Sequence, residues 1–172
     1  LKSSYTFGFF EEVVLKKEYG EVHLYISIEN KFLNDSSKAE VIRNIKSICD
    51  YYYDLFKIDS LNKKDLNIVL LRKSKKENSY ILGGSGKNVI SATFDMNKKR
   101  DWQLLSHRIF HAFMDDLLKS RVYHLPPNLW LTEGLATYYE NLALESIEKG
   151  LKERLDINLK RKWQIYIQDI YI

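Results

Sequence analysis

Val22, Leu24, Ile26 and Ile28 alternate with His23, Tyr25 and Ser27, the two-residue period of a strand with one buried face. The spacing predicts strands over residues 5–15 and 20–28, with Gly20 at the turn between them. It places His23 on the polar side, as a surface histidine. From residue 36 the period lengthens. Ala39, Ile42, Ile45, Ile48, Cys49, Tyr52, Leu55 and Phe56 recur at three and four, which predicts a helix over 36–57 capped by Ser36 or Ser37. Cys49 lies on the apolar stripe and reads as an inert core thiol, and the run Tyr51 to Tyr53 reads as packing. Asp65 to Leu71 is short and almost continuously apolar, the pattern of a strand covered on both faces, and Asn88 to Phe94 predicts another. Between them lie a polar loop, Lys73 to Asn78, and Gly83-Gly84-Ser85-Gly86. No G-K-[ST] closes that glycine run, so it predicts a turn beside a strand rather than a phosphate loop. A backbone of that kind can also approach a bound peptide closely.

The remaining chain is helical in pattern. Over residues 99–120, Leu104, His107, His111, Met114 and Leu118 share one stripe and Trp102, Leu105, Ile109 and Phe113 another. A third, polar stripe carries Asp101, Arg108, Asp115 and Lys119 and is expected to face solvent or a cleft. Pro126-Pro127 ends any helix, and Asn128 can cap a new one from Leu129. In that helix Leu131, Leu135, Tyr138 and Leu142 are expected in the core, while Glu133 and Glu140, seven apart, share a face. From Ser146 onward the pattern is a solvated helix with an apolar seam.

Composition narrows the class. With 45% hydrophobic residues, 13% aromatics, 7 Gly and 2 Pro in 172 residues, the chain can bury a core and is not a disordered segment. A net charge of +4 spread over 27 basic and 23 acidic residues, with no basic run carrying interleaved aromatics, argues against nucleic acid. No run of 18 apolar residues spans a membrane. Cys49 is the only cysteine, which suits either the cytoplasm or a bacterial cell surface. The chain starts without Met and stops on the apolar run Ile165 to Ile172, and reads as a piece of a longer protein with flanking domains.

The chemistry concentrates at His107-Arg108-Ile109-Phe110-His111. Two histidines four apart on a helix project one turn above the other and can offer two imidazole nitrogens to one tetrahedral Zn²⁺. Glu133 is placed to supply a third ligand from the next helix. In the zinc peptidase pattern H-E-x-x-H, the glutamate after the first histidine is the general base of hydrolysis. Here that position is Arg108, whose guanidinium stays protonated and has no lone pair to take a proton.

WLTEGLATYYE, from Trp130 to Glu140, is similar to the W-L-N-E-G-x-A-x-Y-x-E signature of the M1 aminopeptidases, a gluzincin family, and Leu104 to Met114 looks like that family's zinc helix. The upstream order of elements resembles the family's β-rich lobe in order only. The resemblance implies an α+β, thermolysin-like zincin fold. Residues 1–98 would form a β-rich lobe with one long helix and 99–172 a helical lobe, together one catalytic-type domain. It implies His107, His111 and Glu133 as zinc ligands and Glu140 as an outer carboxylate steadying a ligand histidine. Gly83 and Gly84 fall where the family places a substrate-binding turn, but the residues differ and no role is carried over.

Three departures bear on function. Arg108 replaces the base. The gap between His111 and Glu133 holds 21 residues rather than the family's 18, an excess that fits in the 119–127 loop. The family's transition-state tyrosine lies further downstream than this chain reaches, so Tyr138, Tyr139, Tyr166 and Tyr171 inherit no role. A general base contributes about 10²–10⁴ in rate. A guanidinium about 5 Å from Zn²⁺ repels it by roughly 7 kcal/mol at an effective dielectric near 20. Zinc can therefore be weakened or lost, and Arg108 can instead pair with Glu133 and link the helices. The sequence favours a non-catalytic pseudo-peptidase that binds a peptide or protein partner. An active zinc peptidase is the alternative, through another base or if Arg108 is an introduced substitution. Asp115 and Asp116 are the nearest acids, but Asp115 lies about 10 Å along the axis from residue 108. A structural module without metal is the third reading.

Overall fold

The computed structural model describes residues 8–18, 20–28, 34–57, 65–72, 88–118 and 129–147. The glycine run 83–86, the Asn128 cap and all but the first two residues of the helix expected from Ser146 onward lie outside them; Ser146 and Ile147 form a turn. Gly20, at φ 135°, makes the reversal between β1 (Phe10–Lys17) and β2 (Gly20–Ser27) in a conformation that side chains resist. These strands pair antiparallel, with Val13 opposite Leu24. β3 (Leu66–Arg72) and β4 (Val89–Phe94) continue the sheet in parallel, in the order β1-β2-β3-β4. Parallel neighbours need a crossover, and α1 (Asp35–Phe56) lies in the connection from β2 to β3. α2 (Lys99–Leu118) and α3 (Leu129–Glu145) follow. The described residues thus form an α+β unit of one mixed four-stranded sheet and three helices.

The alternation in β2 holds: Val22, Leu24 and Ile26 are buried while His23 and Tyr25 stand on the other face. β3 and β4 bury Leu66, Ile68, Leu70, Ile90 and Ala92. Against them pack Val41, Ile45, Ile48, Cys49 and Tyr52 of α1 and Leu105, Ile109, Phe110 and Phe113 of α2, in one continuous core. Burial pushes the Cys49 thiol up to about 12, so it is inert at neutral pH. The cap of α1 is Asn34, two or three residues earlier than the sequence pattern suggested, with Oδ1 accepting from Ser37 N at 2.8 Å.

Two expectations about helix faces are corrected. Asp101 is buried rather than on an exposed stripe with Arg108, because its carboxylate accepts the backbone N–H of Asp95 at 3.0 Å in the turn that starts α2. Among the α3 residues whose burial is described, Thr132, Ala136, Glu140, Asn141, Ala143 and Leu144 are buried, whereas Leu131 and Tyr138 are exposed. This helix is apolar almost all round, so periodicity does not select its inner face. Small residues and hydrogen bonds do: Ala136 and Ala143 permit close approach, and Gln103 Nε2 donates to Asn141 Oδ1 at 2.9 Å.

His23 is the surface histidine its strand position implied. Its Nδ1 lies 2.8 Å from Glu12 Oε1 and its Nε2 3.4 Å from Glu21 Oε2. The hydrogen bond to Glu12 holds its pKa above the ordinary histidine value, against a smaller effect of burial in the opposite sense. A raised folded-state pKa contributes stability below the unfolded value, and that contribution is lost as pH rises through the folded one. In an NMR titration the His23 ring should therefore titrate above about 6.5, and Glu12→Gln should move its midpoint down. An unmoved midpoint would separate the pair.

Candidate metal centre

α2 and α3 pack side by side, and the site lies where their partly exposed edges meet. Along α2, Leu105, Ser106, Ile109, Phe110 and Phe113 turn into the core, which leaves Leu104, His107, Arg108, His111 and Ala112 on the more open side. The helical period therefore puts both imidazoles and Arg108 together at one rim. From α3, Glu133 and Glu140, two turns apart, both reach His107.

Glu140 is the buried member, with its side chain only 6% exposed. Its Oε2 lies 2.8 Å from His107 Nδ1. A carboxylate only accepts, so Nδ1 carries a proton, and Nε2 is the ring nitrogen turned toward Glu133 and His111. A buried relay holds this arrangement from behind: Ser106 Oγ donates to the Glu140 carbonyl at 3.1 Å, and the Tyr52 hydroxyl lies 2.8 Å from the same Oγ. Burial raises the Tyr52 pKa, which keeps that hydroxyl protonated. α1, α2 and α3 are thus pinned together by polar contacts directly under the histidines. Nothing in the sequence pattern singled out Tyr52 and Ser106 for this. The available signal was a serine at position 106, within the otherwise apolar inner face of α2.

The three inward atoms are close together. His107 Nε2 is 3.2 Å from His111 Nε2 and 3.2 Å from Glu133 Oε2, and His111 Nε2 is 3.3 Å from Glu133 Oε1. With one ligand atom taken from each residue, the three atoms lie within 4.8 Å of one another, a cluster that could hold a metal ion. The donor set, two imidazoles and one carboxylate with an outer carboxylate on one ring, could hold a metal ion and leave a coordination position open. These are the described residues able to hold a metal together. Glu133 has a side chain 51% exposed, against 18% and 15% for the two histidines, so the site opens toward solvent past Glu133. A Cβ at Gly134 would meet nothing within 4 Å, which leaves room beside Glu133.

Arg108 does not pair with Glu133. It is half-buried and makes no hydrogen bond or ion pair with a described residue, while the Glu133 carboxylate is committed to the two histidines. The expected link between helices through an Arg108–Glu133 fork is therefore replaced by a link through imidazole. The reason is occupancy: each Glu133 carboxylate oxygen already lies against an imidazole nitrogen.

No family model and no curated protein matches the sequence. Among solved structures, the chain is similar in fold to an aminopeptidase N family protein from Idiomarina loihiensis, with a TM-score of 0.54 at 14% identity. The similarity covers 81% of this chain and 26% of that one, so the chain spans about a quarter of that protein's length. At this identity the likeness is one of fold. Among the described residues no helix is long and apolar enough to cross a membrane.

Proposed function

We propose that the chain is a thermolysin-like domain of metallopeptidase descent that holds zinc through His107, His111 and Glu133 but does not hydrolyse peptides. Glu140 orients His107 for that role. The β-rich part, residues 1–98, and the helical part, 99–172, together make one domain of a longer protein. Zinc in such a set would act as a Lewis acid toward a carbonyl oxygen. The residue at 108 cannot complete hydrolysis, because a guanidinium offers no lone pair to accept a proton. What remains is a metal site that would serve to bind a peptide or protein partner. The observation that carries this reading is the convergence of His107 Nε2, His111 Nε2 and the two Glu133 carboxylate oxygens at 3.2–3.3 Å contacts, backed by a buried Glu140. The aminopeptidase N family fold of the Idiomarina neighbour supports it.

Metal content by inductively coupled plasma mass spectrometry, on protein purified without a His tag, is the test. About one zinc per native chain is expected, lost in His107→Ala, with no turnover of aminoacyl nitroanilides by either. A folded native chain that takes up no added zinc would sink the ligand assignment. Turnover that His107→Ala abolishes would sink the claim of inactivity.

A further inference from the structure

Arg108 is a half-buried cation with no partner among the described residues, at the rim of a site built from charged groups. Its neighbours one turn away along α2 are Leu104, Leu105, His111 and Ala112, none of which can neutralise it. Asp101, two turns back, is buried on the Asp95 amide, and Glu133 and Glu140 are committed to the histidines. A guanidinium taken partly out of water without a carboxylate opposite is unfavourably placed unless something else supplies the negative charge.

The charge balance identifies what that is. With a divalent ion on His107, His111 and Glu133, the two carboxylates Glu133 and Glu140 cancel the ion. Among the described residues Arg108 is then left over, and these groups carry one net positive charge. A glutamate at 108 would leave the same site with one net negative charge. The exchange therefore changes the site from one that favours a neutral or cationic guest to one that favours an anion. Arg108 and the ion also repel each other, and a carboxylate lying between them would relieve that repulsion while filling the guanidinium fork with two hydrogen bonds.

We infer that Arg108 makes the centre a carboxylate-binding site for the C-terminus or an acidic side chain of a peptide. The inference rests on the zinc reading above and names the ligand class of that same site. Arg108 is the specificity-determining residue, and the open side past Glu133 and Gly134 is the way in.

The test is isothermal titration calorimetry on the native chain, with metal content measured on the same samples. The probes are N-acetyl-alanyl-leucine, its C-terminal amide, and the amide of N-acetyl-alanyl-glutamyl-leucine. Zinc-loaded native protein should bind at least one carboxylate probe at least tenfold more tightly than the uncharged amide. Which one binds distinguishes a C-terminus from an acidic side chain. Metal-free protein, whose site keeps two carboxylates against one guanidinium, should lose the preference. Arg108→Gln should abolish it with zinc still bound, and Arg108→Lys should restore part of it, because charge without the fork recovers attraction but not both hydrogen bonds. Stoichiometric zinc with no preference between acid and amide, or a preference that survives Arg108→Gln, overturns the inference and leaves the zinc reading standing. Absence of zinc uptake by the folded native chain overturns both.

Discussion

Arg108→Glu is expected to raise zinc-dependent peptide hydrolysis by about 10²–10⁴-fold over the native chain, the range a positioned general base supplies. Residue 108 follows His107 directly and shares the open side of α2 with both imidazoles. A carboxylate placed there can accept a proton at the centre, which a guanidinium cannot. It also removes the cation that repels the metal. The two effects are separable. Arg108→Gln removes the charge without adding a base, so it should raise zinc affinity and leave hydrolysis at background. The comparison is turnover of leucine p-nitroanilide by the three proteins at matched zinc occupancy, with His107→Ala added to Arg108→Glu as the control. If Arg108→Glu carries zinc and turns over no faster than Arg108→Gln, residue 108 is not what the centre lacks.

That experiment depends on a site most of whose members could be read from the sequence. His107 and His111 four apart, and Glu133 and Glu140 seven apart, are spacings that place each pair on one helical face, and both pairs meet where the two helices pack. Strand and helix positions were legible for the same reason: alternation in β2 and three-four spacing in α1 are direct records of which side faces the core. The sequence failed where two outcomes had the same pattern. α3 is apolar on nearly every side, so only tertiary contact decides that Ala136 and Ala143 turn in while Leu131 and Tyr138 turn out. Asp101 looked like a solvated charge, because a carboxylate that caps a neighbouring turn has the same sequence signature as one facing water. Whether Arg108 would reach Glu133 was likewise undecidable, since it depends on which group the exposed carboxylate finds first. Glu133 lies against two imidazoles.

The aromatic cluster beneath the centre ties stability to this geometry, and Phe110→Ala should expose the link. Phe110 is almost completely buried. Its ring lies 5.7 Å from Tyr52 edge-on, 5.4 Å from Phe56, 5.7 Å from Tyr139 in a stacked arrangement, and 5.8 Å from the His111 ring. It therefore touches α1, α3 and a candidate ligand at once. Truncating a buried Phe to Ala removes its transfer free energy and leaves a cavity, which together cost about 3–5 kcal/mol. A domain of this size has roughly 5–15 kcal/mol in total, so the variant should keep only a fraction of native stability in urea or thermal unfolding. The cavity opens against the Tyr52–Ser106–Glu140 relay and the His111 ring, so metal affinity should fall as well, although no ligand has been changed. Phe110→Leu refills most of the space, and should recover most of the stability and the metal together. A Phe110→Ala protein that unfolds like the native chain would mean that α1, α2 and α3 are not held by this cluster. One that loses stability but keeps native zinc affinity would mean that the centre is supported by the polar relay alone.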